Sequence, residues 1–180
     1  MESKKRMLLH CCCAPCASYV IEHLAPEYDI TAFYYNPNVE PEAEYEKRKS
    51  EFLRFLSEAS YASDVDFLES EYDNNTFAAA VWDHRNQPEG GARCRICYDL
   101  RLRKTAQRAA SGRYDIFATT MSISPQKNAK LLNELGAKAS DEFVIEYLSA
   151  DFKKNNGYLR SVELSNQFGL YRQEYCGCEA

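Results

Sequence analysis

Short apolar runs alternate with amphipathic stretches along most of the chain. Arg6–Cys11 (RMLLHC) sets Met7, Leu8 and Leu9 side by side and ends in small residues, the mark of a strand buried on both faces. Pro15 suits a first helical turn, where its missing N–H costs nothing, and Ala17–Leu24 reads as a helix stopped near Pro26. Tyr28–Tyr35 (YDITAFYY) is β-branched and aromatic, hence a strand closed by the turn signal Asn36-Pro37-Asn38. Glu42–Ser60 is made of helix formers with Phe52, Leu53, Phe55 and Leu56 on one side. The pattern continues with a short strand over Val65–Leu68, a helix over Thr76–His84 and a loop over Asn86–Gly91. A helix over Cys97–Ala110 follows, with Gly112 just beyond its end. Asp115–Thr119 reads as a strand, Pro125–Ala139 as a helix with Ser124 as N-cap, and Glu142–Tyr147 as a last strand. Tyr158–Phe168 is a final helix before Gly169 and a tail that ends in Tyr175-Cys-Gly-Cys178.

Strand and helix alternate about five times, which predicts an α/β fold: a mostly parallel sheet flanked by helices, Rossmann-like. Sites in such folds lie beyond the carboxyl ends of strands. Cys11–Cys16 follows the first predicted strand directly and Thr119–Ser124 follows a later one. With 180 residues and no internal repeat or linker, the chain reads as one domain over 1–180, with a C-terminal tail from about 170 returning cysteines to the site.

Composition removes several classes. A hydrophobic fraction of 45% and a charged fraction of 27% are ordinary globular usage, which excludes a disordered or collagenous chain. No apolar run nears the roughly 20 residues of a membrane span. The start Met1-Glu-Ser-Lys-Lys-Arg6 imitates a signal peptide, but its apolar stretch stops at His10, so the expectation is a cytoplasmic protein with no membrane partner. Net charge is −5, unevenly placed: 38–73 holds 11 acids and 4 bases, 93–130 holds 9 bases and 2 acids. A basic face of that kind suits phosphates, although solvated helix faces carry such charge as well.

The cysteines change the picture most. Eight occur, in three groups: Cys11, Cys12, Cys13 and Cys16; Cys94 and Cys97; Cys176 and Cys178. A chain with a self-sufficient core has little need of disulfides, and clustered thiols in a reducing compartment bind metal or do redox work. Cys13-Ala-Pro-Cys16 and Cys94-Arg-Ile-Cys97 are CxxC pairs, and Gly177 lets Cys176-Gly-Cys178 fold tightly enough for both sulfurs to meet one centre. Structural zinc takes four ligands and a [4Fe–4S] cluster about four, so the thiols exceed either need. Cys11 is the weakest member and fits plain core. His10 fits a packing role better than a ligand role. Tyr98, Asp99 and Tyr35 are candidate proton donors, and Thr119, Thr120, Ser122 and Ser124 form a hydroxyl-rich turn suited to phosphate or ribose.

Five ordered blocks carry a family resemblance over almost the whole chain: LLHCCCAPCASYVIEHL (Leu8–Leu24), FYYNPNVEPEAEYEKR (Phe33–Arg48), RCRICYDLRLRKTA (Arg93–Ala106), FATTMSISPQKN (Phe117–Asn128) and NNGYLRSVELSNQFGLYRQEYCGC (Asn155–Cys178). They resemble the cobalamin-independent epoxyqueuosine reductases, the QueH family. The resemblance implies reduction of epoxyqueuosine at the tRNA wobble position to queuosine, with loss of water, as the last step of queuosine synthesis. It implies a [4Fe–4S] cluster with a neighbouring mononuclear iron, no cobalamin, an external electron donor, and a fold similar to the PP-loop and adenine-nucleotide-hydrolase-like group. By motif, the ligands are Cys12, Cys13, Cys16, Cys94, Cys97, Cys176 and Cys178; some members carry an aspartate at the position of Cys16, and Cys11 is left out. On this reading Tyr35, Asn36, Arg93, Arg95, Arg101, Lys104, Ser122 and Ser124 meet the tRNA, with Tyr34, Tyr35 and Tyr98 available to stack on an unstacked base.

The competing reading is a zinc-stabilised RNA-binding module without redox activity, which explains the same thiols and the same basic region. A thiol–disulfide oxidoreductase built on Cys13 and Cys16 leaves the other cysteines unused. An ATP-using PP-loop enzyme lacks its glycine-rich loop, because Cys-Cys-Cys-Ala-Pro stands in that place.

Overall fold

The computed structural model describes residues 3–178. Five strands form a single parallel sheet: β1 (Lys5–His10), β2 (Tyr28–Tyr34), β3 (Asp66–Glu69), β4 (Ile116–Thr119) and β5 (Glu146–Tyr147), in the order β3-β2-β1-β4-β5. β1 is central. Met7, Leu8, Leu9 and His10 are fully buried because helices cover both faces of the sheet, which is why this strand reads as an unbroken apolar run.

The period-2 alternation of the strands sorts the core into two layers. Met7, Leu9, Ile30, Ala32 and Tyr34 face α1 (Ala14–Leu24), α2 (Glu42–Glu58) and the segment around α6 (Gly157–Gln167). Leu8, Phe33 and Phe117 face α3 (Asn74–Val81), α4 (Ala92–Ser111) and α5 (Ala129–Phe143). The fold is therefore a helix–sheet–helix sandwich of Rossmann-like character, as the alternation predicts.

Several boundaries differ from the sequence expectation, each for a local reason. α1 begins at Ala14 rather than Ala17, so Cys16 lies in its first turn. α4 begins at Ala92 rather than Cys97, which brings both Cys94 and Cys97 onto its first turns. The helix expected to open at Pro125 starts at Ala129, because Asn128, not Ser124, is the N-cap: its side chain accepts from the Leu131 amide at 3.1 Å. That helix runs to Phe143 and ends on Val144 in the left-handed region, so the last strand shrinks from Glu142–Tyr147 to Glu146–Tyr147.

The chain leaves β1 toward β2 on one side and returns through β4 on the other. The strand order reverses between β1 and β4, and a crevice at their carboxyl ends is where such folds bind ligands. Cys12, Cys13 and the first turn of α1 sit there, beside the 3₁₀ turn Thr120–Ile123 that follows β4. Among the described residues no helix is long and apolar enough to cross a membrane.

Candidate metal centre

All eight cysteines are free thiols. The sulfurs of Cys12, Cys13 and Cys16 lie within 4.8 Å of one another, a group that could hold a metal ion. This convergence comes from the chain's turn out of β1 into α1. Cys13 is extended as the N-cap, Cys16 stands one turn in, and the unsatisfied first N–H groups of α1 favour negative charge at this end. The hydroxyl of Thr120 stands 3.6 Å from Cys12 Sγ.

Cys94 and Cys97 are three residues apart on the first turns of α4 and therefore share a face. The Gly90 amide donates to Cys94 Sγ at 3.2 Å, and Arg101 Nη1 donates to Cys97 Sγ at 3.8 Å. The third pair arrives on the tail. Gly169, at φ +57°, ends the preceding turn. The strap beyond it is tied to α2: the Tyr171 amide donates to Glu51 and its hydroxyl to Glu44. Buried Arg48 donates to the carbonyls of Cys176 (2.8 Å) and Tyr175 (3.2 Å), and the Glu40 amide donates to the Gly177 carbonyl (2.8 Å). Gly177 has φ +124°, and a Cβ there would lie 2.9 Å from both Arg48 Nη1 and Val39 Cγ2, so this position requires glycine.

Among the described residues only Cys12, Cys13 and Cys16 bring three sulfurs within 4.8 Å of one another; Cys97 and Cys176 are coupled to each other, and Cys176 to Cys12, by charge. Hydrogen bonds from Cys13 and Cys16 hold the Cys12 thiol well below its ordinary value, and the same bonds push Cys16 far up and Cys13 up to about 12. A hydrogen bond from Cys178, together with Lys127 and Arg101, pulls Cys176 down to about 5 against the cost of burial. Burial disfavours the charge of Lys127 and of Arg101, yet the neighbouring thiolates outweigh it and hold both cations above their ordinary range. Cys176, Cys12 and Cys16 act on Lys127; Cys97, Cys12 and Cys176 act on Arg101. The thiols are partly to fully buried and have two counter-charges beside them, and metal binding would release their remaining protons. Soft sulfur donors in this number suit zinc, copper or iron–sulfur chemistry and not magnesium or calcium.

A cavity of about 200 Å³ opens onto the cluster, lined by Cys12, Cys13, Cys16, Cys176, Arg101 and Lys127 among others. Asn38 and Gln173 also line it, and each holds a buried side-chain oxygen with no hydrogen-bond partner among the described residues. Such orphaned acceptors are rare in native folds unless a ligand or water completes them.

The remaining sequence candidates fall in distinct places. Asn36 and Ser124 line the cavity. Asn36 is locked between the Cys11 carbonyl (3.0 Å) and Arg101 Nη2 (2.7 Å). Arg101 points inward to the cysteines, not outward from a basic surface. Arg93 is buried and donates to the Arg85 carbonyl, whereas Arg95 and Lys104 are exposed on α4. Ser122 is buried and its hydroxyl accepts from the Phe152 amide. Tyr34, Tyr35 and Tyr98 are core residues with no open ring face, and neither Tyr35, Tyr98 nor half-buried Asp99 borders the cavity. Burial raises Tyr98 and lifts Tyr35 to about 12. His10 is fully buried, with Nε2 donating to the Tyr35 carbonyl (2.9 Å) and Nδ1 accepting from Thr119 (3.1 Å). Desolvation, then Arg101, lowers it to about 3, so it is neutral and structural. Cys11 is buried core with its thiol on the Leu9 carbonyl.

Sequence reasoning missed Lys127, Asn38, Gln173 and Arg48. Lys127 and Gln173 stand inside two of the blocks that carry the resemblance, SPQKN and YRQEYCGC, which was the available signal.

A sequence model of the family described as "Epoxyqueuosine reductase QueH" matches residues 7–180. Curated proteins of that description are similar over nearly the whole chain. The protein from Streptococcus pyogenes serotype M1 is 44% identical over 174 residues, covering 96% of this chain and 68% of the relative. The one from Staphylococcus epidermidis is 40% identical over 180 residues (97% and 75%), and the one from Thermotoga maritima is 34% identical over 173 residues (96% and 88%).

Proposed function

The chain belongs to the epoxyqueuosine reductase QueH family, and we propose from that premise that it reduces epoxyqueuosine at the wobble position of tRNA to queuosine. Two electrons from an external donor and two protons convert the epoxide to the cyclopentene, and its oxygen leaves as water. The reaction is the last step of queuosine synthesis and takes place in the cytoplasm, where tRNA is modified. The chain acts as one α/β unit whose tail completes the site.

The observation that carries this reading is the thiol cluster at the strand-order reversal, with Lys127 and Arg101 beside it and a cavity opening onto it. Cys12, Cys13, Cys16, Cys94, Cys97, Cys176 and Cys178 would hold a [4Fe–4S] cluster and an adjacent iron, with no cobalamin. A cubane takes about four thiolates, and the surplus suits the second metal. When bound, these centres supply electrons singly and a Lewis-acidic position for the epoxide oxygen.

The protein's own groups do the rest. Lys127 borders the cavity as a cation and offers an N–H to the departing oxygen. Arg101 keeps its proton at any working pH, so its part is to compensate thiolate charge while Asn36 and Cys97 fix its fork. Asn38 and Gln173 stand in the cavity wall, each with a buried side-chain oxygen that has no partner among the described residues. His10 is excluded as a proton source because it is neutral and both its nitrogens are engaged.

The test is turnover of epoxyqueuosine-containing tRNA by anaerobically purified protein with a low-potential reductant, read as the nucleoside after digestion. Wild type should yield queuosine and Cys12→Ala none. A fully metal-loaded wild type that leaves the epoxide intact would refute the reading.

A further inference from the structure

Trp82, in the 3₁₀ turn Trp82–His84 at the end of α3, is 62% exposed, although tryptophan is among the costliest side chains to leave in water. Its ring is not loose. The Arg85 guanidinium carbon stands 4.2 Å from the ring centroid, and Arg85 Nη1 donates to the Trp82 carbonyl at 2.7 Å. The residue stays 62% exposed with the guanidinium over its ring.

The pair is tied to the metal centre through the backbone. Buried Arg93, one residue before Cys94, donates to the Arg85 carbonyl at 3.0 Å. The same loop turns back through Gln87 N to the His84 carbonyl and Gly91 N to the Pro88 carbonyl. It then supplies Glu89 to the cavity wall and the Gly90 amide to Cys94 Sγ. Trp82 and Arg85 thus stand on the segment that leads into α4 and its cysteines, with Arg85 four residues before Glu89 of the cavity wall. Asp83 and Glu89 are the acids of this loop; the cations Arg85, Arg95 and Lys104 have no carboxylate within 4 Å among the described residues.

We infer that the Trp82–Arg85 pair is a stacking platform for an unpaired nucleobase of the anticodon loop, next to the base that enters the cavity. The inference rests on the tRNA reading above and adds to it the surface that holds the RNA. A base treated inside a pocket must leave its stack, and its neighbour then loses a stacking partner that an aromatic face can replace. The guanidinium over the ring polarises it and can pair with the adjoining phosphate. Tyr34, Tyr35 and Tyr98 cannot serve, because they are buried; Tyr158 and Tyr175, 38% and 39% exposed, line the cavity that the reacting base itself enters.

The chain has one tryptophan, so its emission reads this position without a label. Metal-loaded protein is titrated with a dye-labelled anticodon stem-loop, following RNA anisotropy and Trp82 emission together. A fully paired duplex of the same strand serves as control. Emission should fall in step with stem-loop binding and not with the duplex. Trp82→Ala should weaken stem-loop binding about 5- to 150-fold, matching the usual 1–3 kcal/mol of a base–aromatic stack, while Trp82→Phe keeps most of it. Normal stem-loop binding with unchanged emission and an unaffected Trp82→Ala variant overturns the platform and leaves the tRNA reading standing. No stem-loop binding by wild type overturns the tRNA reading itself. If Trp82→Ala binds RNA normally but loses turnover only with a protein electron donor, the surface belongs to that donor and the platform is refuted.

Discussion

Arg48 holds the tail cysteines in place, and its removal should uncouple them from the site while the rest of the fold survives. Its side chain is 2% exposed, so its bonds are made in a water-poor setting. Nη1 and Nη2 reach the carbonyls of Cys176 and Tyr175, and Nε reaches Glu44 at 2.8 Å. A hydrogen bond from a charged group is worth about 1.5–3 kcal/mol, and truncation also leaves the carbonyls buried without a donor. The tail keeps its bonds through Tyr171 to Glu44 and Glu51, so the lower end, about 3 kcal/mol for the two carbonyl bonds, is appropriate. That is about a hundredfold shift in the docking equilibrium. The assay is maleimide labelling of the metal-free protein with the modified cysteines mapped by mass spectrometry. In Arg48→Met, labelling of Cys176 and Cys178 should rise about a hundredfold, with Cys11 unchanged and iron uptake on reconstitution reduced. Wild-type protection of Cys176 and Cys178 together with full iron uptake would refute the role assigned to Arg48.

Three further outcomes follow from particular contacts. Gly177→Ala places a Cβ against Arg48 and Val39 at a φ that disfavours any side chain, at a cost of about 1–3 kcal/mol, and should lower iron content without changing the far-UV circular dichroism. Cys11→Ala removes a buried thiol that is not part of the cluster, so thermal unfolding should shift by a few degrees while iron and sulfide content stay at the wild-type level; loss of iron would make Cys11 a ligand. Glu51 has its carboxyl held below the ordinary 4.5 by Arg54 and by the Tyr171 amide, against burial. Its contribution is therefore present above about pH 4.5 and is lost as pH falls through the lower folded value. Urea unfolding of the metal-free protein should show Glu51→Gln less stable than wild type at pH 7, with the gap closing on acidification.

The central strands β1 and β4 were legible because burial on both faces leaves short apolar runs such as Met7–Leu9, whereas the half-exposed edge strand β5 carries no such run and reads four residues too long. Helix starts were less so. Cys94 precedes the expected start of α4 because nothing in Gly90-Gly91-Ala92 announces a helix; Gly91 caps it without a side-chain bond. Asn128 was hidden as a cap by Ser124, an equally good capping residue four positions earlier. The seven candidate thiols could be named from spacing and resemblance, but their counter-charges could not. Lys127 lies in a stretch that reads as basic surface, and the partner that turns Arg101 inward, Asn36, is 65 residues away along the chain. Arg48 reads as one more charge on an amphipathic helix until the tail folds over it.

On the proposed reading these thiols hold an iron–sulfur centre. The most direct measurement is iron, zinc and acid-labile sulfide per chain in protein purified without oxygen, with its absorption spectrum. A protein with an iron–sulfur centre and a further iron is brown and carries about four sulfides and about four to five irons. Stoichiometric zinc with no sulfide, unchanged after anaerobic reconstitution, would contradict that reading and make the cysteines a structural clip.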